Sequence, residues 1–176
     1  DINDDITFKG PPLKGVLYDM NNFSNIVYEL NKKGKQKKRY YEYPLFSPED
    51  HQNENFYTKE EIIKSIEICF NDNVDGVFMV LSGHGNKAGN FLLETKDGEQ
   101  ELSYSMVYNL WKKRKNPSKC KHLLIIVDIC HSGKWVENNE KFKFENLGIH
   151  VQAACKGYQL ASDLARKGGL LFYSLY

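Results

Sequence analysis

A thiol at Cys130 and an imidazole at His84 stand in matched settings in this chain. Gly76-Val77-Phe78-Met79-Val80-Leu81 runs into Ser82-Gly83-His84-Gly85, and Leu123-Leu124-Ile125-Ile126-Val127 runs into Asp128-Ile129-Cys130-His131-Ser132-Gly133. Short apolar runs rich in Val, Ile and Phe read as buried strands of a parallel sheet. Open α/β sheets bind ligands beyond the carboxyl ends of their strands. Two such ends therefore offer the thiol and the base that nucleophilic catalysis by cysteine requires.

The neighbouring residues separate chemistry from packing. A buried cysteine is ordinarily an inert small hydrophobe. That reading suits Cys69 on the apolar side of a helix, Cys120 in a loop and Cys155 at a strand end. Cys130 differs, because a polar, flexible turn follows it. His131 is the less suitable base, since adjacent residues of an extended chain point to opposite sides. His150 lies inside a strand and reads as structural. A zinc site from His84, Cys130 and His131 is open to these residues, although their spacing does not demand one. Asp128 ends an otherwise apolar strand two residues before Cys130, so it shares a face with the thiol. A carboxylate there is costly unless it has a partner or a task. A salt-bridged structural acid is the alternative.

The elements that must hold these residues alternate between helix and strand. Residues 1–14 read as an N-terminal arm or linker with Pro11-Pro12, and 15–176 as one domain. Val16–Tyr18 is expected to end a first strand. Met20, Phe23, Val27 and Leu30 predict a helix over 20–32. A basic run at Lys32–Arg39 reads as a solvated connection rather than a nucleic-acid or membrane patch. Residues 40–46 are strand-like, and 47–56 read as a loop. Thr58 with Glu61 is a capping-box signature for a helix carrying Ile62, Ile63, Ile66 and Phe70. Residues 85–89 form a turn-rich loop, 91–95 a short strand and 96–99 a turn. Ser103 caps a helix through Met106, Val107, Leu110 and Trp111, which Asn116-Pro117 ends. Lys134–Asn146 is polar and reads as a loop, 149–154 as a strand and 170–176 as another. The βαβ rhythm predicts an α/β fold with a doubly wound, mostly parallel sheet.

With 24 basic and 23 acidic residues the net charge is near zero, which argues against binding nucleic acid through phosphate contacts. No apolar stretch reaches membrane-spanning length, so no membrane partner is expected. The four cysteines form no CxxC pair or disulfide framework, and a cytoplasmic location is the simplest reading. The chain starts at Asp1 without Met, which leaves room for an upstream segment and for regulatory domains outside it.

Ser82-Gly83-His84-Gly85 and Asp128-Ile129-Cys130-His131-Ser132-Gly133 resemble the His and Cys motifs of caspase-like cysteine peptidases, specifically the metacaspase and paracaspase branch of the caspase/legumain clan. True caspases carry Gln where Asp128 stands. The resemblance runs from about Gly15 to Tyr176. It implies a caspase-like three-layer sandwich with a mostly parallel central sheet flanked by helices. It also implies a cysteine endopeptidase with His84 and Cys130 as catalytic dyad and the backbone N–H groups of Gly85 and Cys130 as oxyanion hole. Asp128 and Asp19 would line the first specificity pocket, giving a protein or peptide substrate with Arg or Lys at its first position. Val151–Gln159, including Ala153, resembles the strand and loop that bind the substrate backbone. No metal or other cofactor is expected, because Glu99, Glu101 and Glu137 make an incomplete calcium pattern. A catalytically silent scaffold module and a legumain-like Asn-specific peptidase or transamidase are the alternatives. The polar connection at Lys134–Asn146, with Lys134, Lys141 and Lys143, reads as a mobile surface loop that is never cut, and a self-processing or regulatory segment is the alternative that the resemblance suggests.

Overall fold

The computed structural model describes residues 15–33, 57–164 and 168–175. The arm at 1–14, most of the basic run and the strand and loop expected over 40–56 lie outside them.

The strands β1 (Gly76–Ser82), β4 (His122–Asp128) and β5 (Ile149–Ala153) form a parallel sheet in the order β1-β4-β5. The hairpin of β2 (Phe91–Thr95) and β3 (Gly98–Leu102) lies between β1 and β4 in the chain. A mixed α/β fold with a parallel sheet and flanking helices is thus observed.

Alternate residues of the strands face the hydrophobic core. Met79 and Leu81 of β1 and Leu123, Ile125 and Val127 of β4 are buried there. Helix α2 (Lys59–Asn71) contributes Ile62, Ile66 and Phe70, and α3 (Tyr104–Lys112) contributes Val107 and Trp111. Phe70 and Trp111 meet edge to face with ring centroids 5.1 Å apart, a favoured aromatic geometry. The helix starts follow their caps. Thr58 Oγ1 accepts from Glu61 N while Glu61 accepts from Thr58 N, and Ser103 Oγ accepts from Met106 N. Helix α3 stops at Lys112, before Asn116-Pro117 is reached. Arg114 turns back there, donating to the carbonyls of Trp111 and Cys120 at 2.7 and 2.8 Å.

Four sequence expectations are corrected. Val16–Tyr18 is not a strand end but lies in the first turns of α1 (Gly15–Lys33). A strand, β3, begins inside the turn expected over 96–99. Lys96 and Asp97 alone make that turn, with Thr95 Oγ1 donating to Gly98 O at 2.7 Å. Lys134–Asn146 is not a loop. It forms α4 (Gly133–Lys141) and a 3-10 helix (Lys143–Glu145). Trp135 and Phe142, seven residues apart, give one face an apolar ridge, and Trp135 is buried. The segment from Leu170 is not a strand but helix α5 (Leu170–Leu175). It follows a short antiparallel pair of β6 (Asp163–Leu164) and β7 (Gly168–Gly169).

Candidate active site

The parallel register sets Ser82 beside Asp128. Beyond that rung Gly83 N still donates to Asp128 O at 3.3 Å, so the strands stay together as they leave the sheet. Past that rung the chains continue to His84 and Cys130, and Gly85, next after His84, closes on Cys130. The backbones there are nearly in contact: a Cβ on Gly85 would strike the Cys130 carbonyl oxygen and lie 2.9 Å from Ile129 Cγ1. Only glycine permits that approach. His84 and Cys130 are both half-buried, accessible from the strand ends.

The His84 loop is held from outside the sheet. Leu92 N donates to His84 O at 3.0 Å and Asn86 N to Asn90 O at 3.1 Å, one on either side of Gly85. Glu101 of β3 accepts from Asn86 Nδ2 at 2.8 Å and from Asn90 Nδ2 at 2.6 Å. Trp135 Nε1–H donates to Gly89 O, which ties the same loop to α4 behind the thiol. Glu101 therefore serves this loop, while Glu137 meets Lys134 Nζ at 3.1 Å. Among the described residues no group of three or more His, Cys, Asp or Glu could hold a metal ion.

Asp19 and Asp128 converge although far apart in sequence. Asp19 is 1% exposed and Asp128 5%. Asp19 Oδ2 accepts from Ser82 Oγ at 2.6 Å, and its two oxygens accept from Gly169 N at 2.9 and 3.2 Å. Gly169 also abuts the other acid, since a Cβ there would strike Asp128 Oδ2 and lie 2.6 Å from its Cγ. One glycine thus separates two buried carboxyls beneath the strand ends. Hydrogen bonds from Ser82 and from the Gly169 backbone help to hold Asp19 in this buried setting.

Ala153 ends β5 in register with Val127, and Ala154 N donates to Val127 O at 3.0 Å. This brings the end of β5 beside the strand that carries the thiol. His131 turns away from a base role. Its φ is 60°, and its Nδ1 lies 3.2 Å from Gly157 O. His150 is exposed on β5, its ring 6.5 Å from that of His122. The remaining cysteines suit packing roles. Cys120 is fully buried in a loop, and burial pushes its thiol above the ordinary range. Burial does the same to the half-buried Cys69 of α2, with Asp72 adding to it. Cys155 sits two residues past β5.

Two contributors escaped the sequence reading: Ser82 and Gly169. Ser82 carried a signal, since it stands two residues before His84 as Asp128 stands two before Cys130. Gly169 carried none, because its role depends on a contact with Asp19 across the chain. Comparison with protein-family models and with curated proteins finds no match for this chain.

Proposed function

We propose that this chain is a cysteine endopeptidase of caspase-like architecture that cleaves after Arg or Lys. The observation that supports the reading is that β1 and β4 run side by side to Ser82 and Asp128, so that His84 and Cys130 follow the ends of two adjacent strands, with Asp128 and Asp19 buried there. In the reaction, Cys130 Sγ, as thiolate, attacks the scissile carbonyl carbon. The carbonyl π-electron pair moves to oxygen, where the Gly85 and Cys130 N–H groups would receive it. Each such donor is worth about 3 kcal/mol in the transition state. The imidazolium of His84 protonates the amine as the C–N bond breaks, leaving a thioester. Water, deprotonated by His84, then releases the acid and restores the thiol. No metal or organic cofactor enters these steps.

Asp128 and Asp19 supply the specificity in this reading, with unequal tasks. Asp19 already accepts from Ser82 and Gly169 and shapes the pocket floor. Asp128, which ends β4 two residues before Cys130, would meet the guanidinium or ammonium group of the substrate. A panel of peptides with Arg, Lys, Asn or Asp at the first position tests this on the whole chain beside Cys130→Ala. Cleavage of the Arg and Lys members, lost in the variant, is the expected result. Cleavage of the Asn member alone would mean a legumain-like enzyme. No cleavage and no labelling of Cys130 by a peptidyl thiol reagent would mean a silent scaffold.

A further inference from the structure

Ser132 holds the position before α4 where a serine normally caps its own helix. It makes no such bond, and its side chain is fully buried. Its hydroxyl is turned onto another segment. Ser132 Oγ accepts from Cys155 N at 3.2 Å and lies 3.4 Å from Cys155 Sγ. Next to it, His131 has left-handed backbone, a conformation costing a non-glycine residue about 1 kcal/mol or more. Contacts to the same segment hold it there: His131 N donates to Gln159 O at 2.8 Å, and Nδ1 faces Gly157 O at 3.2 Å. Cys155 Sγ lies 3.2 Å from Gln159 O and 3.5 Å from Ile129 O. Gly133 completes the fit, because a Cβ there would strike Gly157 N.

These contacts lie past the last rung between β4 and β5, so the sheet itself does not require them. They fasten the 155–159 turn to the turn that carries Cys130. Among the described residues β5 is an edge strand. Edge strands are templates for extended peptides, and this one ends beside the thiol.

We infer that Ser132 is a positioning residue which, with His131 as a second pin, locks the end of β5 to the nucleophile turn, so that a peptide paired on β5 is presented to Cys130 in fixed geometry. The inference rests on the peptidase reading above. Ser132 does not touch the reacting atoms; it acts through the Cys155 amide.

The test compares two reagents on the whole chain, with modification read at Cys130 by peptide mass spectrometry. Iodoacetamide needs only an accessible thiol, whereas an arginyl peptide chloromethyl ketone must also dock its backbone. Each rate is expressed relative to free cysteine. In Ser132→Ala the chloromethyl ketone rate is expected to fall about tenfold, within the range for small misplacements, while the iodoacetamide rate stays within about twofold. His131→Gly tolerates the left-handed backbone and keeps the N–H, so it should fold readily and show the same selective loss in smaller degree. That variant decides the matter if Ser132→Ala does not fold. Equal slowing of both reagents, or no change in either, would overturn the positioning role. If the unmodified protein shows no preference for the arginyl reagent, the peptidase reading fails in that arm alone, and this inference fails with it.

Discussion

The backbone N–H of Gly169 donates to Asp19 Oδ1 at 2.9 Å, joining positions 150 residues apart. This bond brings β7 under the ends of β1 and β4 and sets the distance between two buried carboxyls. Without it, Asp128 would lack the wall that shapes its surroundings.

Gly169→Ala places a methyl against the Asp128 carboxyl. Cleavage of Arg peptides is expected to lose about tenfold or more in kcat/KM, chiefly through KM, as when uniform binding is removed. Michaelis–Menten kinetics on Arg and Lys peptides check this, and an unchanged KM would place the pocket elsewhere. Asp19→Ala removes the acceptor of Ser82 and Gly169, and is expected to cost about 2–4 kcal/mol of stability in urea unfolding.

Glu101→Ala frees the two asparagine side chains that pin the His84 loop. The group is exposed, so the stability cost is expected to be small, about 1 kcal/mol. The larger effect should fall on kcat, because His84 loses its fixed position. A variant with unchanged kcat would show that the hairpin does not govern the base proposed at His84.

Helix α4 removes the premise for self-processing between β4 and β5. Peptidases bind extended chain, and Lys134, Lys141 and Lys143 are held on helical backbone, with Lys134 against Glu137 and Lys143 against Glu140. Incubating the active protein beside Cys130→Ala and mapping fragments by mass spectrometry should show no cut within Gly133–Lys141. A cut dependent on Cys130 would mean that the helix opens readily.

The capping box of α2 predicts an acid-sensitive contribution. Bonds first from the Thr58 backbone and then from its side chain hold the Glu61 carboxyl below the ordinary glutamate range. Its folded-state value is thus depressed. The contribution is present above the unfolded glutamate value, about 4.3, and is lost as pH falls through the lower folded value. Thr58→Ala should cost about 1 kcal/mol at neutral pH. The difference between variant and parent should narrow in urea titrations carried out at progressively lower pH.

Much of the frame was legible from local pattern. The apolar runs before Ser82 and Asp128, rich in Val and Ile and short, read as strands and form β1 and β4, and the caps at Thr58 and Ser103 mark where α2 and α3 begin. Segments whose structure depends on partners were misread. Polarity hid α4, because its burial rests on two aromatic residues, Trp135 and Phe142, in a charged sequence. The short apolar runs at Val16 and Leu170 carry no period that separates helix from strand. The expectation that His84 and Cys130 act together follows in the sequence from two similar strand ends, but adjacency of those ends required the β1–β4 register. Sequence by itself determined which residues could do chemistry, because residue type and local pattern are written in it. Tertiary structure alone decided that Asp19 reaches Ser82 and Gly169, and that Ser132 serves the Cys155 turn rather than its own helix. Those contacts join segments far apart in the chain, and only the packed core brings them within hydrogen-bond reach.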